Sequence, residues 1–85
     1  MNTIRFKNET GRKMSLIVEP EAVNIDWEIG KRVEIHFNPM TDNYNDQLDL
    51  VLGSDEMVVF ECRQYETKIF IDDELMYYTP PGRYW

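Results

Sequence analysis

The chain has 85 residues, 42% of them apolar and 13% aromatic, and its 16 acidic and 9 basic side chains leave a net charge of −7. So short a chain makes one domain with a single core and little material to wall a deep pocket; a flat or edge-based binding surface, or self-association, is the economical expectation. The charge argues against nucleic acid and anionic membranes as partners, because both are bound through basic groups, and favours a basic protein instead.

Thr3 to Lys7 alternates, with Ile4 and Phe6 on one face and Arg5 and Lys7 on the other. Asn8-Glu9-Thr10-Gly11 reads as a turn; it also matches the N-glycosylation pattern, which has no use without a secretion signal. Lys13 to Glu19 resumes the alternation, with Met14, Leu16 and Val18 inward and Ile17 on a partly covered outer face. These two segments are expected to form a hairpin. Pro20 then ends the second strand, since proline cannot donate to a ladder.

Val23 to Phe37 carries the clearest pattern. Its odd positions are apolar except Lys31, and its even positions are polar or glycine. A period of two means extended chain with one buried face; wound as a helix, the same residues would bury nothing coherent. A three-residue loop Glu28-Ile29-Gly30 puts glycine where a turn-plus-bulge needs a left-handed residue, and sets Ile25 against Val33, Val23 against Ile35, and Asp26 against Arg32. The rival is a type II turn with Gly30 at its third position, which splays the two strands toward different sheets. The hairpin is the expectation carried forward.

Asn38 to Asp46 is a long polar loop. Gln47 to Leu52 follows with Leu48, Leu50 and Leu52 inward, then a turn at Gly53 to Glu56, then Met57 to Arg63 with Val58, Phe60 and Cys62 inward. Thr67 to Ile71 and Leu75 to Tyr78 flank a tight acidic turn, Asp72-Asp73-Glu74, as a final hairpin. Short strands separated by regular turn signals predict an all-β fold, a small antiparallel β-sandwich or flattened barrel of about eight short strands. The β domain is expected over residues 1–78, with an aromatic and Pro-rich C-terminal tail over 79–85.

The run Leu16-Ile17-Val18-Glu19-Pro20 followed by Ile25 to Ile35 resembles a group of short bacterial proteins of unassigned function. Their pattern is an apolar strand ending in Glu-Pro, an alternating strand, a glycine turn and another alternating strand. Here Ile29-Gly30 stands where that group often has Pro-Gly. The resemblance implies an all-β fold and no particular chemistry.

Residues for catalysis are sparse. His36 is the single histidine and Cys62 the single thiol; parity points the first outward and the second inward, so a nucleophile–base dyad is not expected. Ser54 lies in a turn without a nucleophile elbow. One Cys and one His do not make a zinc site. The oxygen-rich stretches Asp42 to Asp49 and Asp72 to Glu74 do not match the EF-hand spacing and read as solvated acidic loops. The four glycines are isolated, so there is no phosphate-binding loop. The expectation is therefore a protein with no enzymatic activity, no cofactor and no metal. With no apolar leader, no membrane-length apolar run and a lone cysteine, the expected compartment is the reducing cytoplasm.

Two features point to protein binding. By parity Asp26, Glu28, Glu34, Asp49 and Glu61 face away from the core, and Asp42 and Asp46 extend that acidic surface. Such a face can imitate phosphates and mask a basic active site. Tyr77, Tyr78, Tyr84 and Trp85 crowd the C-terminus, and aromatic residues of this kind anchor interfaces, unless the tail folds back on its own body. The reading is an acidic, non-catalytic protein-interaction module, of the inhibitor or immunity type, for a basic partner. The alternatives are a self-assembling homodimeric β protein and a small-ligand-binding β-sandwich with a cleft at one end.

Overall fold

The computed structural model describes residues 2–19, 21–39, 50–53, 57–61 and 65–79. Among them lie eight strands and no helix: β1 (Asn2–Lys7), β2 (Met14–Glu19), β3 (Val23–Trp27), β4 (Arg32–Pro39), β5 (Leu50–Gly53), β6 (Met57–Glu61), β7 (Tyr65–Ile71) and β8 (Glu74–Tyr78). They form two four-stranded sheets, one ordered β1-β4-β7-β8 and the other β3-β2-β6-β5. All pairings are antiparallel except β2 with β6, which run parallel. Leu48 and Cys62, both expected inward, lie outside the described residues, as do Asp42, Asp46, Asp49, Tyr84 and Trp85.

The period-two faces hold. Leu16, Val18, Ile25, Trp27, Val33, Ile35, Phe37, Val58, Phe60, Ile69 and Ile71 are buried between the sheets, while Asn24, Asp26 and Arg32 are exposed. Burial of such side chains is worth roughly 1.5–3 kcal/mol each, which is why the alternation dictates the faces. β7 starts two residues before the expected Thr67, adding Tyr65 to the core, where its ring meets Phe37 edge-on at 5.8 Å.

Strand neighbours depart from expectation in two places. β1 does not pair with β2: it pairs with β4, setting Ile4 against Ile35 and Phe6 against Val33 inside, and Arg5 against Glu34 outside. β3 does not pair with β4 either. The Lys31 N–H donates to the Glu28 carbonyl at 3.2 Å and Gly30 has φ 79°, the type II turn with glycine third. That turn sends β3 and β4 into different sheets. Asp26 consequently lies across from Ser15, with the Lys13 ammonium 3.7 Å away, and has no pairing with Arg32. Ile29 sits in the turn, as both readings of that turn place it, and is exposed.

Leu50 and Leu52 share the inner face of their sheet with Phe60 and Val58, as parity requires, yet both are exposed. β5 is the edge strand, and its Leu50 and Leu52 line an open, mostly apolar depression with Ile4 and Phe6 of β1 instead of closing against them. The layers cross at a steep angle. Phe6 of β1 meets the Trp27 ring edge-on at 5.1 Å at one end of β3, and Tyr77 Oη of β8 donates to Glu21 at 2.9 Å near the other end. The strand order of one sheet thus runs along the strands of the other, the orthogonal arrangement of a sandwich. The final hairpin forms, with a turn one residue shorter than expected: Ile71 faces Glu74, now in β8, across a two-residue loop in which Asp72 and Asp73 have φ 47° and 69°. Both central residues are left-handed, as in a type I′ turn.

Candidate functional site

Two turns meet at one corner of the molecule. The Glu28–Lys31 turn leads into β4, and the Asp72–Asp73 turn joins β7 to β8. They are tied by main-chain and side-chain bonds: the Arg32 N–H donates to Asp72 Oδ1 at 2.9 Å, and the Asp72 N–H donates to the Arg32 carbonyl at 3.0 Å. The Lys31 ammonium stands 3.3 Å from the other Asp72 oxygen. The Arg32 N–H, and then Lys31, hold the Asp72 carboxyl below its ordinary pKa.

This junction gathers carboxylates from two chain segments, residues 26–28 and residues 72–74. Asp26 and Glu28 come from the end of β3, Asp72 from the turn, and Glu74 from the start of β8. Together with Lys31, Ile71 and Met76 they line a shallow depression of about 280 Å³. Four carboxylates gather there, with the Lys31 ammonium on Asp72 and the Lys13 ammonium 3.7 Å from Asp26. Met76, Leu75 and Ile29 are exposed around the same corner. A larger depression of about 600 Å³ adjoins it on the outer face of the β1-β4-β7-β8 sheet, but Arg5, Lys7 and Arg32 there balance Glu34, Asp72 and Asp73. The acidic corner thus carries an excess of negative charge that the larger depression lacks.

The residues singled out in the sequence do not assemble into one face. Asp26 and Glu28 belong to the corner. Glu34 lies on the outer face of the opposite sheet, where its carboxylate accepts a hydrogen bond from Arg5 Nε at 3.1 Å and contacts His36 Nε2. The His36 contact lowers the Glu34 pKa most; partial burial opposes it, and the Arg5 hydrogen bond and charge add to the lowering. Glu61 lies on the outer face of its own sheet, across from Glu19. Tyr77 is half-buried against the core with its hydroxyl on Glu21, whereas Tyr78 is exposed beside Lys68. Thr79, placed at the start of the tail by sequence, is buried and donates its N–H to the Thr67 carbonyl.

The imidazole of His36 points outward, between Glu34 and the Phe70 ring 5.1 Å away. Among the described residues no hydroxyl hydrogen-bonds to it, so no nucleophile–base pair is formed there. Among the same residues no three carboxylate, imidazole or thiol groups stand close enough to hold a metal ion, and no helix is long and apolar enough to cross a membrane. Sequence reasoning missed Asp72 and Glu74 as members of the site. They read as turn punctuation, and only the crossing of the two sheets brings that turn beside Asp26 and Glu28. No protein-family model, characterised protein or solved structure matches the chain.

Proposed function

We propose that this chain is a non-catalytic protein-interaction module, an acidic inhibitor or immunity-type protein that docks on a basic partner through the corner built by Asp26, Glu28, Asp72 and Glu74. One observation carries the reading: carboxylates from two chain segments, far apart in sequence, share a depression with the exposed Met76, so charge and an apolar anchor lie on one surface. Charge of this kind steers encounter and selects the partner, and the apolar anchor slows dissociation. The net charge of −7 extends the attraction over the whole molecule. Glu34 is left out of the docking surface because it does not line that corner; it lies among Arg5, Lys7 and Arg32 in the other depression.

The test is binding of a decalysine peptide, followed by calorimetry at low and at raised salt. Charge reversal by Glu28→Lys with Glu74→Lys is expected to weaken binding by more than about tenfold, since rim-to-core charge changes cost kcal/mol-scale energies. Two reversals with the same net charge change but placed elsewhere, Glu61→Lys with Glu66→Lys, are expected to weaken it only about twofold. Equal losses from both pairs would show that net charge alone attracts the peptide, and the corner would lose its role.

A further inference from the structure

We propose that β5 is a dimerisation edge, at which a second copy of this chain adds its own β5 in antiparallel register. The surface is separate from the acidic corner, and the inference does not depend on the function proposed above. Four described strands lie at sheet edges: β1, β8, β3 and β5. An open edge invites pairing with any passing strand, and proteins blunt unused edges with charges or bulges. β1 carries Arg5 and Lys7, β3 carries Asp26, and β8 carries Glu74 and a register shift opposite Ile69 and Phe70. β5 reads Leu50-Val51-Leu52-Gly53, with no charge on either face and no described strand beyond it. Leu50, Val51 and Leu52 are 36%, 58% and 81% exposed. Large aliphatic groups at that exposure on an unblunted edge are the signature of a surface that is covered in use.

The occupant follows from symmetry and charge. In an antiparallel pair opposed residues share a face, and a two-fold axis normal to the sheet preserves faces. Val51 can therefore meet the same residue of the second copy, with Leu50 meeting Leu52 on the inner face. The pairs formed within Leu50–Leu52 are then all aliphatic. Behind Val51 the outer face continues through Val59 and Ile17, which are in register and half-buried, so one apolar row crosses the junction. Two chains of charge −7 repel wherever acidic surfaces meet, and β5 is the described edge where they meet without charge. Pairing of Leu50–Leu52 alone buries less than the roughly 1,200 Å² of a stable interface, so the dimer is weak and forms only at high protein concentration. Salt screens the repulsion between the copies and strengthens it, the opposite sign to docking of a basic partner.

Sedimentation velocity on the full chain from about 5 µM to about 500 µM tests this, spanning the affinity expected of so small an interface. The wild type is expected to pass from monomer to dimer, and to do so at lower concentration in raised salt. Val51→Lys and Val51→Glu each place like charges directly opposite across the axis and are expected to weaken dimerisation by at least about tenfold. Mixing the two variants puts lysine against glutamate and is expected to restore a heterodimer. Circular dichroism and tryptophan fluorescence monitor folding; if either variant is unfolded, Leu52→Lys replaces it, and is likewise expected to be monomeric. A wild type that stays monomeric at about 500 µM overturns the proposal, whether its own chain or another protein covers the edge. A dimer indifferent to these charges, or one that mixing fails to restore, overturns it as well.

Discussion

The side-chain Nδ2 of Asn8 donates to the main-chain carbonyl of Trp27 at 3.0 Å, and this bond crosses from the end of β1 to the end of a strand in the other sheet. The same amide donates to the Arg12 carbonyl at 2.8 Å, and its oxygen accepts from the N–H and hydroxyl of Thr10. Asn8 main-chain groups bond to Lys31 and Gly30. One buried residue thus joins the β1–β2 loop to the turn that separates the sheets. Trp27 Nε1, donating to the Lys31 carbonyl at 2.8 Å, closes the same network.

Asn8→Ala leaves two carbonyls without their donor and opens a small hole. Each buried group left unpaired costs about 1–3 kcal/mol, so a loss of roughly 2–4 kcal/mol is expected in urea unfolding. Asn8→Asp keeps the shape but offers a carboxylate to the same two carbonyls, and is expected to be at least as harmful near neutral pH. A loss below about 0.5 kcal/mol for either variant would show that water replaces the amide.

Backbone conformation supplies opposite predictions at three turns. Gly30 has φ 79° and open space where a Cβ would stand, so Gly30→Ala isolates conformational strain, expected to cost about 1–2 kcal/mol. Ala22 and Asp73 have φ 57° and 69° without being glycine. Ala22→Gly and Asp73→Gly are expected to raise stability by roughly 0.5–1 kcal/mol each, because relief of that strain exceeds the entropy glycine loses on folding. Thermal denaturation at matched pH measures all three.

The pKa values of Glu34 and Asp72 are both lowered in the folded chain. A carboxyl with a depressed folded pKa binds protons more readily when unfolded. Its contribution is therefore present above the ordinary carboxylate pKa and lost as pH falls through the lower folded value. Stability is expected to decline on acidification below the ordinary carboxylate range. The double variant Glu34→Gln, Asp72→Asn is expected to flatten that decline while keeping acceptor oxygens and a residue tolerant of positive φ at position 72. An unchanged acid limb in denaturant titrations at several pH values would assign the decline to other acids.

Thr79 Oγ1 is buried and, among the described residues, has no hydrogen-bond partner. Thr79→Val replaces an unsatisfied hydroxyl by a methyl of similar volume and is expected to stabilise by about 0.5–1 kcal/mol, the sign reversing if the hydroxyl is in fact satisfied. Equilibrium unfolding reads this directly.

What the sequence determined by itself was the face of each residue. Period-two burial is a local property: neighbours on a strand point to opposite sides whatever lies beside the strand, so the inward setting of Val33, Ile35, Val58 and Ile69 was legible residue by residue. The exposure of Leu50 and Leu52 was not, since it depends on whether the other layer closes against them. Partners were equally beyond reach. Ile35 satisfies the same parity against Val23 or against Ile4, and the choice falls to a type II turn at Gly30 and to Asn8, whose burial no local pattern announces. The acidic corner divides in the same way. Asp26 and Glu28 were readable as outward-facing, but their meeting with Asp72 and Glu74 is a consequence of two sheets crossing steeply, a long-range arrangement selected by total core burial and not by any one stretch of chain.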